Sequence, residues 1–146
     1  MNNQQKKEYL SQYRYAVKRA ARTDAEIAQW RSVAEKVTPT LSGMPGGGTG
    51  SRIESAVEQM DALREKLNDQ MARCAQIRIA IDKAIEGVPD ERLRYLLELR
   101  YVDGCTFEQI AVNMHYDWRH VVRLHGFALS ALKINDVMEC HTQNLL

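Results

Sequence analysis

The sequence predicts an all-α protein: a long N-terminal antiparallel helical hairpin, coiled-coil-like in its packing, followed by a small C-terminal trihelical domain. Three observations carry this prediction. Apolar residues recur at helical spacing through residues 1–37, a stretch with neither glycine nor proline. A seven-residue apolar repeat runs from Ile53 to Ala84. Three short amphipathic segments follow Pro89, separated by brief polar breaks, and two of them start on a side chain suited to N-capping.

The first helix is marked by Leu10, Tyr13, Val17, Ala20, Ile27, Ala34 and Val37 on one face. "TDAE" at 23–26 has the pattern of a capping box and would admit a break near Arg22. Residues 38–51, "TPTLSGMPGGGTGS", hold two prolines and five glycines, so the helix cannot continue there. Gly43 and Gly48 have the spacing of a phosphate-binding loop, but no lysine follows them to reach a phosphate. The segment is read as a flexible connection between two helices.

Ser51 and Glu54 form a capping box that would start the second helix. One seam of its repeat is Ile53, Met60, Leu67, Cys74 and Ile81; the other is Ala56, Leu63, Gln70, Ile77 and Ala84. Gln70 and the alanines weaken the seam as an independent dimer zipper, which favours an intramolecular hairpin with the first helix. Homodimerisation through the hairpin stays open. Gly87 fits a C-cap and Pro89 the first turn of the next helix.

Composition narrows the class. Charged residues are 27% of the chain and no apolar run approaches the roughly 20 residues of a membrane span. The opening "MNNQQKKEY" has no apolar core of a secretory signal. Cys74, Cys105 and Cys140 are odd in number and far apart, which fits reduced thiols in a cytoplasm. The net charge of +1 is unevenly spread: residues 1–38 hold eight Lys/Arg against four Asp/Glu, residues 88–146 six against eight. The four histidines, His115, His120, His125 and His141, all lie in the second stretch and could offset its deficit by taking up protons near a polyanion.

The third helix, from "PDERLRYLLELRYVDG", places Leu93, Leu96, Leu97 and Tyr101 inward and ends at Asp103-Gly104. Thr106 and Gln109 form a capping box for the fourth, Phe107 to Met114, which buries Phe107, Ile110, Ala111 and Met114. Ala111 stands where two short helices would cross, and a larger side chain would part their axes. The tight turn "HYD" puts His115 where the backbone tends toward positive φ and glycine is usual. Asp117 caps the fifth helix, whose buried stripe is Val121, Leu124, Ala128, Leu129 and Leu132. Trp118, Arg119, His120, Val122 and Arg123 are left facing outward. This is the pattern of a helix-turn-helix, in which the first turns of the second helix enter the DNA major groove. Arg119 and Arg123 suit guanine edges or phosphates, His120 either one more weakly, and Trp118 a sugar or the turn itself. The candidate DNA-binding residues are Thr106, Gln109, Asp117, Trp118, Arg119, His120, Val122 and Arg123. Gly126, inside this helix, should cost about 1 kcal/mol relative to alanine; close packing on the preceding helix or on Tyr101 would explain it, and a hinge is the other reading.

"LRYVDGCTFEQIAVNMHYDWRHVVRLHGFALSAL" resembles region four of bacterial sigma factors. "RLHGFAL" with the upstream "MPGGGTGS" loop is similar to small phage-encoded regulators of the RinA/ArpU type, which include a phage family long described only as a domain of unknown function. The resemblance covers roughly residues 8–133. It implies double-stranded DNA and bacterial RNA polymerase as partners, control of late phage genes, and the cytoplasm of a bacterial host. His115 in place of glycine and the low positive charge depart from that pattern. The resulting division is a hairpin arm at 1–87 with its Gly/Pro-rich loop at 38–51, a helix-turn-helix domain at 88–133, and a tail at 134–146.

Other classes find less support. His115, His120 and His125 are spaced by five, so neighbours point about 140° apart on a helix and cannot share a metal as an i, i+4 pair can. No nucleophile and base have an arguable spacing, so neither catalysis nor a cofactor is expected. The competing functional class is a helical oligomerising adaptor or small terminase-like packaging component that binds DNA weakly.

Overall fold

A computed structural model describes residues 1–37 and 48–134. The expectations for residues 38–47, Cys140, His141 and the tail beyond Ile134 lie outside the described residues. The described chain is all-helical: α1 (Asn3–Val37), α2 (Gly48–Glu86), α3 (Glu91–Leu97), α4 (Phe107–Met114) and α5 (Trp118–Ala131), with a π-helical turn at Glu98–Val102 continuing α3. The long helices α1 and α2 form an antiparallel pair, followed by the three shorter packed helices. No helix among the described residues is long and apolar enough to cross a membrane.

α1 runs unbroken through Arg22. Thr23 is buried and its hydroxyl donates to the Arg19 carbonyl one turn back (3.2 Å), so it serves the interior of a helix rather than capping a new one. α2 begins at Gly48, three residues before the expected start. Ser51 is then the fourth helical residue, past the position from which a hydroxyl caps. All ten seam positions of α2 are buried or half-buried, as the heptad pattern requires. α2 ends at Glu86; Gly87 follows it without a left-handed φ. Asp90, not Pro89, is at the start of α3: its carboxylate accepts from the Arg92 amide (2.9 Å), and Pro89 stands one residue before the cap.

Contacts group the chain into two units, Met1–Ala16 with the chain from Arg73 onward, and Val17–Ala72. In the second unit Thr23, Ile27, Ala56 and Met60 are buried. The first unit holds the main core, where Tyr9 and Leu10 of α1 and Ile77, Ile81, Ala84 and Ile85 of α2 meet the apolar faces of α3 to α5. At its edge Arg78 of α2 makes a two-pronged bond to Asp82 (3.1 and 2.9 Å) and reaches the Tyr13 hydroxyl of α1 at 3.5 Å.

The π turn explains an unexpected core residue, Val102. Leu96 and Leu97 are buried, and so are Tyr101 and Val102, five residues on. An α-helix would bring i+4 to the same face; the wider turn, with the Asp103 amide bonded to the Glu98 carbonyl (3.0 Å), brings i+5 there. Gly104 ends the element at φ +73°.

Candidate nucleic-acid interface

α4 and α5 are set by three local devices. Thr106 and Gln109 exchange hydrogen bonds: the Gln109 amide donates to the Thr106 hydroxyl (3.2 Å), and the Thr106 amide to the Gln109 side chain (2.8 Å). α4 closes in a Schellman motif, with the Tyr116 amide on the Ala111 carbonyl (3.0 Å) and His115 at φ 58°, ψ 41°. The left-handed backbone expected of His115 is therefore present, carried by a residue that tolerates it at some cost. Asp117 then accepts from the His120 amide at 2.8 Å and starts α5.

α5 is divided into two faces. Val121, Leu124, Ala128, Leu129 and Leu132 are buried, and on α4 Ile110 and Ala111 are buried while Phe107 and Met114 are half-buried against the core. Arg119, Val122 and Arg123 are exposed on the other face of α5, and Trp118 at its first position is 49% exposed. The eight candidate residues thus separate. Thr106, Gln109 and Asp117 are exposed but engaged in capping, while Trp118, Arg119, Val122 and Arg123 carry free faces. His120 is half-buried, its ring edge-on to Tyr116 with centroids 4.7 Å apart. Behind Tyr116 stands Arg92 of α3, whose guanidinium engages both the Tyr116 hydroxyl and the Asp90 carboxylate. The Arg92 amide and guanidinium hold Asp90 below the ordinary carboxylate range. Sequence reasoning gave Arg92 no role, because its partner Tyr116 lies two elements away.

His125 departs from expectation. It is buried, 2.7 Å from the Tyr101 hydroxyl and edge-on to Phe107. Burial first, then the charges of Lys7 and Arg100, push its pKa down to about 4. At neutral pH it is uncharged, so it adds no positive charge to meet a polyanion. Its apolar surroundings win over its proton affinity.

Gly126 departs from the close-packing reading of it. A Cβ built there meets nothing within 4 Å, so close packing does not explain the glycine. The helix continues through it without interruption to Ala131.

The start of α1 braces this unit, through pairings 88 and 123 residues apart that no local pattern encodes. Lys6 donates to the Leu129 carbonyl at 2.8 Å, and Arg14 to the Val102 carbonyl at 3.2 Å. Each places a cation at the carbonyl end of a helix, where the helix dipole favours it.

Comparison of the chain with family models, with curated proteins and with solved structures gives no match in any of the three.

Proposed function

We propose that the chain is a sequence-specific DNA-binding transcription regulator that lays α5 in the major groove. The observation that carries this is the exposed set Trp118, Arg119, Val122 and Arg123 opposite a fully buried stripe, on a helix that follows a capped, Schellman-closed partner. Guanidinium groups one helical turn apart suit guanine O6/N7 edges or phosphates, and an apolar side chain between them suits a thymine methyl. The resemblance to sigma region four and to RinA/ArpU-type regulators supports the narrower reading, control of late phage genes together with host RNA polymerase.

The test is an Arg119→Ala/Arg123→Ala double variant, assayed against duplexes enriched from a random pool by the unaltered protein. Affinity should fall at least a hundredfold at unchanged helicity, and the salt slope should shrink by about 2 if both arginines meet phosphates. Unchanged affinity would remove these residues from the interface. A second reading, a helical oligomerising adaptor or packaging component, is favoured by Met71 and Ile79 of α2, 58% and 57% exposed. Light scattering separates the two: a ring-sized oligomer supports the adaptor, a monomer or dimer the regulator.

A further inference from the structure

Gly126 is the ninth residue of α5. Its φ is not positive, and no heavy atom stands within 4 Å of where its Cβ would be. Glycine is the poorest helix former after proline. With ordinary helical backbone and open space above it, neither packing nor backbone conformation calls for this glycine.

Its angular place is specific. At about 100° per residue, Gly126 falls about 20° from Arg119, between Val122 on one side and Arg123 on the other. Val121, Leu124 and Ala128, buried, point the opposite way. Arg119, Val122, Arg123 and Gly126 stand at i, i+3, i+4 and i+7, the four corners of one diamond on the helix surface. Three corners carry exposed side chains and the fourth carries none. One turn further on, the Ser130 hydroxyl folds back to the Gly126 carbonyl at 3.0 Å.

We infer that Gly126 is a DNA contact point, where the sugar-phosphate backbone of a duplex comes against the main chain of α5. Glycine is the residue that lets a ligand approach a backbone this closely. The helix rises about 12 Å from Trp118 to Gly126, and the major groove is about 12 Å wide. A helix entering by its first turn therefore brings its ninth residue to the groove wall, where the phosphates lie. The inference rests on the DNA-binding reading and adds to it how deeply α5 seats.

Gly126→Ala in the full chain tests it. The probe is a fluorescent 40-base-pair duplex enriched from a random pool by the unaltered protein, read by anisotropy beside a thermal melt. The expected variant melts about 2–4 °C higher, because alanine is the better helix former, yet binds the enriched duplex at least tenfold more weakly. A higher melting point with affinity within twofold overturns the inference and leaves the DNA reading standing. A lower melting point also overturns it, by showing an intramolecular need for the glycine. If the unaltered protein enriches no duplex, the DNA reading itself fails and takes this inference with it.

Discussion

The Tyr101 hydroxyl and Nε2 of His125 lie 2.7 Å apart in the core, joining the π turn to α5. Both residues are 5% exposed, and burial pushes Tyr101 up to about 12 while His125 is held down at about 4. Both groups are therefore neutral over the physiological range, and one hydrogen bond satisfies two buried polar atoms.

That pair predicts acid sensitivity. An unfolded histidine binds its proton near pH 6.5, whereas folded His125 does so only near 4. Between these values the unfolded state holds more protons, so stability is full above about 6.5 and is lost as pH falls toward 4, by at most ~3 kcal/mol. Thermal melts at pH 7, 5.5 and 4.5 should show the decline. His125→Gln, which keeps a hydrogen-bonding side chain beside Tyr101, should flatten it.

Gly104 and Arg14 should be coupled. At Gly104, φ is +73° and a Cβ would meet the Arg14 guanidinium at 2.6 Å. Gly104→Ala is expected to cost ~1–3 kcal/mol from backbone strain and crowding together. Arg14→Ala loses the bond to the Val102 carbonyl and should cost ~1 kcal/mol. In the double variant the crowding disappears, so the costs should sum to less than the two singles; strict additivity in a denaturant-unfolding cycle would refute the contact.

Tyr9 is 4% exposed and its hydroxyl has no hydrogen-bond partner among the described residues. Tyr9→Phe removes a buried group without opening a cavity. The variant should be as stable as the parent or gain up to ~1 kcal/mol, measured by urea unfolding. A loss above that amount would mean the hydroxyl is bonded after all.

His115→Gly tests the turn. A left-handed conformation at φ 58° costs a residue with a Cβ about 1 kcal/mol, part of which returns as glycine's greater freedom when unfolded. The net expectation is a gain of ~0.5 kcal/mol in stability. Destabilisation would show that the imidazole supplies an interaction the turn depends on.

Much of this architecture could be read from residue order because it rests on local rules. The heptad seam, the Thr106–Gln109 box, the Asp117 cap and the left-handed site at His115 each involve residues within a turn or two of one another. The burial of Ala111 was legible for a similar reason, since it follows from helical spacing within α4. What could not be read depends on distant partners or on a helical irregularity. His125 looked like an available base until Tyr101 and Phe107 enclosed it. Val102 joined the core because the π turn shifted the face by one residue. The bracing by Lys6 and Arg14 links α1 to carbonyls 123 and 88 positions away. Of the candidate interface, the outward arginines were legible from periodicity, while Arg92 behind Tyr116 and the open space at Gly126 were not.

The shared core has a consequence for how the protein can be dismantled. Tyr9, Leu10, Ile77, Ile81 and Ile85 pack with α3 to α5 as one apolar body. Residues 88–134 are consequently no cassette: a chimaera that transplants them alone would leave behind the Tyr9, Leu10, Ile77, Ile81 and Ile85 side chains of their own core. The smallest exchangeable piece must carry Met1–Ala16 and the stretch from Arg73 along with it, so recombination that swaps one such unit for another has to cut within α1 and α2 rather than at the end of α2.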